Sequence, residues 1–328
     1  MTLPPVALTC GEPAGIGPEI TVKAWQALRN GHPFFWIGDV RHLPTGTQVT
    51  KITHPAEAAS VFATALPVLH LPFDGPRMAG ALCPSHARDV IKSIELAVSF
   101  TQADDALAVS TNPINKKALK DGAGFTYPGH TEFLAALGGV KSVVMMLASA
   151  QLRVVPATIH IPLSDVPAAL TKKTLEACIR VTHQSLQNDF GIASPRIAVA
   201  GLNPHAGEGG AMGVEDANTI APVIAALQAE GMDLRGPLPA DTMFHERARQ
   251  SYDVAICMYH DQALIPIKTL DFDRGVNVTL GLPFVRTSPD HGTALDIAGT
   301  DLANPTSLIE ALKLATEMGR KRFASESI

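Results

Sequence analysis

The sequence alternates short apolar runs with longer amphipathic segments, and this alternation restricts the fold more than any other feature. Strand-length runs include "PFFWIG", "ALAVST" and "DVAICMYH", and helical apolar spacing is present in "EITVKAWQALRN" and "TKKTLEACIRVTHQSLQNDFG". This order predicts an α/β fold with a mainly parallel sheet. Because the strand-length runs are continuously apolar, we expect helices to cover both faces of the sheet.

Composition excludes several classes of protein. The 328 residues are 46% hydrophobic and 17% charged, which is typical of a globular protein with one large or two medium domains. The formal net charge is −5 and no long basic stretch occurs, so neither a nucleic-acid partner nor an anionic membrane partner is expected. No uncharged apolar run reaches the roughly 18 residues of a membrane span.

Two further features of the sequence indicate a cytoplasmic enzyme. The first residues, "MTLPPVALTCGEPAG", lack the charged region and the long apolar region of a signal peptide. The four cysteines are scattered and form no C-x-x-C pair. We therefore expect buried, reduced thiols.

Three apolar runs each lead to a histidine: "LRVVPATIH" to His160, "PRIAVAGLNPH" to His205 and "DVAICMYH" to His260. Ligands of open α/β sheets bind outside the carboxyl ends of the strands, so the three imidazoles are candidates for one divalent-metal site with an open position. Zinc, cobalt and nickel suit imidazole, and magnesium or manganese suits a site where carboxylates help. Asp241 and Asp261 are available as carboxylates that support the ligands or act in catalysis. The alternative is that each histidine is an ordinary hydrogen-bonded loop residue.

Familiar nucleotide motifs are absent, but two glycine-bearing stretches are present. The sequence has no G-x-x-x-x-G-K-[ST] loop and no G-x-G-x-x-G after a strand. The stretches "CGEPAGIGPEI" (residues 10–20) and "DHGTALDIAGTDLANP" (residues 290–305) resemble the opening and the cofactor loop of isopropylmalate and isocitrate dehydrogenases. The resemblance implies a nicotinamide cofactor bound by Gly11, Gly15, His291, Gly292 and Asp296.

Asp296 bears on the choice of cofactor. A carboxylate at this position can accept hydrogen bonds from both hydroxyls of an adenosine ribose, and it would repel a 2′-phosphate. The resemblance therefore favours NAD over NADP. The alternative is that Asp296 caps the helix that follows.

A set of motifs covers nearly the whole chain. In order they are "GEPAGIGPEI", "TNPINKKAL", "PGHTEF", "GLNPHAGEGGAMG", "GPLPADTMF", "MYHDQ" and "RGVNVTLGLPFVRTSPDHGTALDIAG". Together they resemble the 4-hydroxythreonine-4-phosphate dehydrogenase family of pyridoxal phosphate biosynthesis. The resemblance implies a two-domain isopropylmalate-dehydrogenase-like fold with largely parallel sheets and helices on both faces. The implied cofactor domain is 1–125 plus 282–328, and the implied metal, substrate and dimerisation domain is 126–281.

The resemblance also implies roles for single residues. The family's metal ligands fall on His160, His205 and His260, in an active site shared across a two-fold homodimer. The family's substrate contacts fall on His130, Thr131, Lys268, Asn277 and Arg286. A surface ion pair is the alternative role for each of the two cations, and an ordinary helix N-cap is the alternative role for Thr131.

The implied reaction is the metal- and NAD(P)-dependent oxidation of 4-phosphooxy-L-threonine. The product is a β-keto acid, which loses carbon dioxide to give 3-amino-2-oxopropyl phosphate. Candidates for the proton-accepting base are Asp241, Asp261 and Lys268, and the sequence does not rank them. Rival functions are a related dehydrogenase of erythronate or threonate 4-phosphate or of a cis-diol, an acyl-phosphate transferase, and a metal-dependent hydrolase or lyase.

Overall fold

The computed structural model describes residues 3–326, and for Glu326 only the backbone. The strands are β1 Val6–Thr9, β2 Phe34–Gly38, β3 Val49–Ile52, β4 Leu66–His70, β5 Val109–Thr111, β6 Val144–Ala148, β7 Arg153–Pro156, β8 Arg196–Ala200, β9 Asp233–Leu238, β10 Val254–Cys257, β11 Val276–Leu280 and β12 Arg286–Pro289. The helices are α1 Gly17–Leu28, α2 Ala58–Val61, α3 Ala87–Gln102, α4 Lys116–Ala123, α5 His130–Leu137, α6 Val166–Ala169, α7 Lys172–Asn188, α8 Ala221–Ala229, α9 Glu246–Arg249, α10 His260–Asp271 and α11 Thr306–Glu326. The alternation of strands and helices confirms the predicted α/β class.

The chain folds into two compact units. The first contains the residues up to Lys141 and those from Leu282 onward, and the second contains Ser142–Gly281. The expected regions place residues 126–141 with the second part of the chain, whereas the structure groups them with the first unit. No helix in the described residues is both long enough and apolar enough to cross a membrane.

In the first unit the strands pair in the order β3-β4-β2-β1-β5-β12, and every pair is parallel. All residues of β1, β2 and β12 are buried. Since successive side chains of a strand point to opposite faces, both faces of these strands are covered. The apolar runs are therefore continuous because both faces of these strands are covered, as we expected from the sequence.

In the second unit the order is β11-β6-β7-β10-β8-β9. The pairs β11–β6 and β6–β7 are antiparallel, and the pairs β7–β10, β10–β8 and β8–β9 are parallel. The sheets are thus largely parallel, as predicted. Antiparallel pairing of β6 and β7 requires only a short turn, and four residues separate Ala148 from Arg153.

The strands of the second unit end earlier than the apolar patterns indicate. The runs continue to His160 and His260, whereas β7 ends at Pro156 and β10 ends at Cys257. The carbonyl of Cys257 accepts a hydrogen bond from the N–H of Ala157 at 2.7 Å, just beyond the last paired residues of these two strands. Because these two strands end early, His160 and His260 lie in the segments that follow the strands and not at the strand ends.

A buried ring cluster lies in the first unit. The ring of His42 is 4.9 Å from that of Phe73 and 5.1 Å from that of His86, measured between centroids. Both histidines are at most 2% exposed. Burial lowers the pKa of His42 to about 4, because an imidazolium loses its hydration there. His42 is therefore neutral in the folded protein.

This shift predicts an acid-sensitive stability. The unfolded chain binds a proton at His42 near pH 6.5, whereas the folded chain does so only near pH 4, so acid favours the unfolded state. The contribution of neutral His42 to the free energy of unfolding is full above pH 6.5 and is lost as the pH falls towards 4. We expect it to fall by about 2 kcal/mol between pH 7.5 and 5. Urea unfolding of the wild type and of His42→Phe measures the difference.

The control is His54→Asn, because His54 is exposed and caps a helical turn at Ala56, a role that asparagine fills. His54→Asn should keep the wild-type pH dependence, and His42→Phe should reduce the loss of stability between pH 7.5 and 5 by about 2 kcal/mol. An equal pH dependence in wild type and His42→Phe would contradict the assignment to His42.

Candidate functional site

The second unit places the three predicted histidines beyond the carboxyl ends of three neighbouring parallel strands. Their order is β7-β10-β8, and the register aligns Val155 with Ile256 and Ile256 with Val199. His260 begins α10 directly after β10, while His160 follows β7 and His205 follows β8. The histidines therefore belong to one edge of this sheet, the edge where ligands bind in α/β folds.

His160 and His260 lie next to each other. Their ring centroids are 5.7 Å apart, with an angle of 45° between the rings. Two imidazoles that bind one tetrahedral ion at about 2 Å have centroids about 5 Å apart. The observed separation thus fits a shared ion after a small adjustment.

Asp261 orients one of these imidazoles. Its Oδ1 is 2.7 Å from Nδ1 of His260. A carboxylate that accepts from Nδ1–H leaves Nε2 unprotonated and available to a metal, an arrangement found behind many metal-binding histidines. The contact gives Asp261 an orienting role, and its carboxylate is engaged in that role.

His205 lies in a left-handed turn. The short helical segment Pro204–Gly210 contains six consecutive residues with positive φ, and three of them, His205, Ala206 and Glu208, are not glycine. Left-handed backbone costs a residue with a Cβ roughly 1–2 kcal/mol. Such strain persists only where the surroundings impose it, and it is concentrated at functional sites.

Asp216 imposes this turn. It is 1% exposed, and its carboxylate accepts from the N–H of Leu202 at 2.8 Å, from the N–H of Asn203 at 3.2 Å and from Asn203 Nδ2 at 2.9 Å. A Cβ at Gly201 would lie 2.7 Å from Asp216 Oδ1, so only glycine fits there. Sequence analysis missed Asp216, although the acidic pair in "GVED" after the glycine loop was a usable signal.

The three histidines do not form a complete metal site within the described part of one chain. Among residues 3–326 no group of three or more His, Cys, Asp and Glu side chains is placed to hold a metal ion. The pair His160–His260 instead borders a pocket of about 300 Å³. Apolar residues form much of its lining: Ile159, Ile161, Leu163, Val166 and Tyr259.

The other predicted residues of the second unit lie on separate elements. Asp241 is exposed in a short helical turn, Ala240–Thr242. Lys268 is in α10, with Nζ 5.5 Å from the centroid of the Phe272 ring. Asn277 lies in β11, in register with Leu147 of β6, and is partly exposed.

In the first unit the two glycine-bearing stretches are packed directly on each other. The N–H of Ile16 donates to the carbonyl of Thr293 at 3.0 Å. A Cβ at Gly15 would lie 2.6 Å from that same carbonyl oxygen. Glycine at position 15 is therefore required for the close approach of these two loops.

The turn after β1 has its own restrictions. Gly11 has a φ of 68°, and a Cβ there would lie 2.6 Å from the carbonyl oxygen of Pro113. The next residue, Glu12, is 3% exposed and accepts from the N–H of Ala14 at 3.0 Å. Burial raises the pKa of the Glu12 carboxyl.

The second loop leaves polar groups available. Nε2 of His291 is buried without a hydrogen-bond partner, while its Nδ1 is 3.0 Å from the carbonyl of Gly292. A Cβ at Gly292 would meet open space. Asp296 is exposed and forms no hydrogen bond with another described residue, so it does not cap α11. This exposed carboxylate can accept hydrogen bonds from the hydroxyls of a ribose.

A third segment contacts the first of these loops, and sequence analysis did not find it. Nη1 of Arg77 donates to the carbonyls of Pro13 at 3.2 Å and Gly15 at 3.4 Å. The N–H of Gly80 donates to the carbonyl of Ala14 at 2.8 Å. The segment lies in an exposed stretch without a motif, so only the folded chain reveals the contact.

The predicted substrate residues of the first unit surround the start of α5. Gly129 is the N-cap and no side chain caps the helix, so Thr131 is not an ordinary N-cap. Arg286 is 4% exposed and donates to Thr111 Oγ1 at 2.6 Å, which contradicts a surface ion pair at this residue. Burial lowers the pKa of Arg286 to about 10.

His130 is the third member of this group. Burial, together with the positive charges of Arg286 and Lys116, lowers its pKa well below the usual range. Nε2 of His130 is buried without a hydrogen-bond partner. A neutral imidazole beside a buried guanidinium can donate to or accept from a bound ligand.

Known proteins resemble the chain over nearly its whole length. A sequence model of the family described as pyridoxal phosphate biosynthetic protein PdxA matches residues 31–315. The 4-hydroxythreonine-4-phosphate dehydrogenase of Roseobacter denitrificans is 63% identical over 318 residues, which are 97% of this chain and 98% of that protein.

Solved structures of similar proteins agree with this relationship. The 4-hydroxythreonine-4-phosphate dehydrogenase of Klebsiella pneumoniae superposes with a TM-score of 0.87 at 36% identity, covering 96% of this chain and 99% of that one. A terephthalate 1,2-cis-dihydrodiol dehydrogenase from Burkholderia xenovorans has a TM-score of 0.67 at 30% identity, covering 96% and 98%. The chain therefore belongs to the pyridoxal phosphate biosynthetic protein PdxA family, and it is a dehydrogenase.

Proposed function

We propose that the protein oxidises 4-phosphooxy-L-threonine in pyridoxal 5′-phosphate biosynthesis. The observation that carries the proposal is the 63% identity to a 4-hydroxythreonine-4-phosphate dehydrogenase over 97% of the chain. The product is a β-keto acid that loses carbon dioxide and leaves 3-amino-2-oxopropyl phosphate. A cytoplasmic location is part of the proposal.

The proposal assigns NAD, with NADP as the alternative, to the first unit. The contact between Gly15 and Thr293, the open space at Gly292 and the exposed carboxylate of Asp296 support this assignment. A bound nicotinamide would supply the hydride acceptor. Asp296 accepts hydrogen bonds from the ribose, and the paired loops hold the cofactor in place.

The proposal assigns one divalent cation, zinc, magnesium or cobalt, to His160, His205 and His260. The 5.7 Å separation of two of the rings supports it. A cation held by these histidines would supply a Lewis acid for the alcohol. The substrate contacts are assigned to His130, Thr131, Lys268, Asn277 and Arg286.

The proposal includes a homodimer that shares its active site. Two observations support it. The described part of one chain brings only two of the three histidines together. The pocket beside them is lined by Ile161 and Leu163, which are 39% and 67% exposed. Exposed apolar side chains at a histidine site are typical of a surface that a partner covers.

The proton from the substrate alcohol goes to a base of this chain. Asp261 is held by His260 at 2.7 Å, which favours an orienting role. Asp241 and Lys268 are therefore the better candidates for the base. Each must reach hydrogen-bond distance of the alcohol in the complex.

A dehydrogenase of cis-diols is a second candidate function. The specific observation in its favour is the structural likeness to the terephthalate cis-dihydrodiol dehydrogenase at 30% identity. The buried Arg286 beside α5 favours a phosphorylated substrate instead, because a guanidinium can bind two phosphate oxygens at once.

Turnover tests the proposal directly. With NAD and 4-phosphooxy-L-threonine we expect the nicotinamide to be reduced and carbon dioxide to be released. The absorbance of the reduced nicotinamide measures the rate. Removal of metal with a chelator should abolish the rate, and added zinc, cobalt or magnesium should restore it. Faster turnover of erythronate 4-phosphate, threonate 4-phosphate or a cis-diol would reject the assigned substrate.

Substitution of His205 tests the metal ligands. His205→Ala should lose bound metal, measured by atomic emission, and lower kcat/KM by more than about 100-fold, a larger loss than for outer residues of metal sites. His183→Ala is the control, since His183 lies on α7 and is not one of the three candidate ligands. Full metal content and activity in His205→Ala would contradict the assignment.

Mixed dimers test the shared site. His205→Ala is mixed with His160→Ala or with His260→Ala after reversible dissociation. If both subunits supply ligands, one mixture should regain up to about a quarter of wild-type activity, because half of the dimers are mixed and each has one intact site. No recovery in either mixture would place all ligands in one chain.

Asp296→Ala tests the cofactor loop. Loss of its hydrogen bonds to the ribose should weaken NADH binding roughly 10- to 100-fold and reduce the preference for NADH over NADPH, measured by fluorescence titration. Asp301→Asn is the control, because Asp301 is in the same loop but pairs with Lys23. If both variants bind NADH as the wild type does, the role of Asp296 is wrong.

A further inference from the structure

A second cation of the first unit, Lys116, acts on the same histidine, His130, as the buried Arg286 does. A Cβ built on Gly129 would be 3.3 Å from Cε and 3.4 Å from Nζ of Lys116, so the ammonium lies against the backbone where α5 begins. The absence of a side chain at Gly129 leaves the room that the ammonium occupies. Lys116 itself is in the first turn of α4.

Lys116 is not neutralised within the described part of the chain. Its ammonium forms no hydrogen bond and no ion pair with any described residue. The next residue, Lys117, differs, because its ammonium pairs with Asp121 one turn further along α4. The carboxylate nearest to Gly129 is that of Glu132, whose Oε2 would lie 3.3 Å from the same built Cβ, but Glu132 and Lys116 form no ion pair.

The neighbouring groups add positive potential. Arg286 is 4% exposed, and its charge and that of Lys116 both act on His130. The first N–H groups of α5 have no partner within the helix, and no side chain caps them. Two cations, a helix start and a neutral imidazole therefore converge, with Glu132 as the opposing charge. Such a set suits a ligand of more than one negative charge.

We propose that the Lys116 ammonium, together with the Arg286 guanidinium, binds the phosphate monoester of the substrate. Lys116 is thereby the residue that distinguishes phosphorylated from unphosphorylated substrates. A phosphate monoester carries a charge between about −1.5 and −2 at pH 7 and has three acceptor oxygens. Arg286 serves as a planar fork and Lys116 as a point charge. The inference rests on the proposed function and adds a residue to its substrate contacts.

Three variants separate the role of Lys116 from general charge effects. Lys116→Ala removes the ammonium, Lys116→Arg keeps the charge, and Lys117→Ala removes the adjacent, ion-paired lysine as a matched control. Lys116 is exposed, so its removal leaves the core intact, and equal melting temperatures of the variants check this. The readouts are the Kd of inorganic phosphate by titration calorimetry at constant ionic strength and the KM of each substrate.

We expect Lys116→Ala to raise the phosphate Kd and the KM for 4-phosphooxy-L-threonine roughly 10- to 100-fold, as for the loss of one charge-assisted hydrogen bond. The KM for NAD and the KM for unphosphorylated 4-hydroxythreonine should not change. Lys116→Arg should recover most of the loss, and Lys117→Ala should match the wild type.

Two outcomes would overturn the inference. In one, Lys116→Ala and Lys117→Ala bind phosphate and phosphorylated substrate equally well. In the other, the KM rises equally for 4-hydroxythreonine, which would assign Lys116 to the substrate carboxylate. The phosphate titration requires no turnover. A wild type that binds phosphate through Lys116 but does not oxidise 4-phosphooxy-L-threonine would reject the proposed function and leave the anion site standing.

Discussion

The parallel pairing of β7, β10 and β8 is the constraint on which the candidate metal site depends. The aligned register of Val155, Ile256 and Val199 brings the ends of the three strands to one level. Each chain segment that leaves this edge carries one histidine. A shift of register by one residue would also turn the buried side chains of these strands to the opposite face, so the packing of the core protects the alignment.

The segment after β8 shows how a buried charge maintains a strained backbone. Asp216 is desolvated, and its hydrogen bonds to Leu202 and Asn203 compensate for that cost. The same bonds hold the chain where the left-handed residues from His205 onward begin. A flexible loop would present the imidazole in many orientations, and the anchored turn presents it in one. This is the preorganisation that a ligand requires.

The first unit uses close backbone contacts and charge in a comparable way. Gly15 lets one loop approach the carbonyl of Thr293, and Gly129 leaves room for the ammonium of Lys116. In both places the missing side chain brings a polar group near a backbone that would otherwise be covered. Arg286 is held in the same unit by burial and by Thr111. Glycine positions and buried polar groups thus act together.

Much of this could be predicted from the sequence, and the reason is physical. The strand runs around Phe35 and Ile256 are apolar because both sheet faces are covered, and that requirement is local to each strand. The histidines follow such runs in sequence, so their common edge could be inferred from the parallel fold alone. The two glycine-bearing loops were found through resemblance, because their glycines and Asp296 carry no periodic pattern. Other features were decided by the tertiary structure. They join residues that are distant in sequence or on different elements. Examples are the approach of His160 to His260, the hydrogen bonds of Asp216 to the loop, and the contacts of Arg77 and Lys116.

Sequence patterns report which side chains avoid water, because burial acts on each residue separately. They do not report which polar groups meet, because that depends on where the packed elements place them. The amino-acid sequence therefore determined the architecture and the edge of the sheet that carries the candidate site, and only folding decided the partners there.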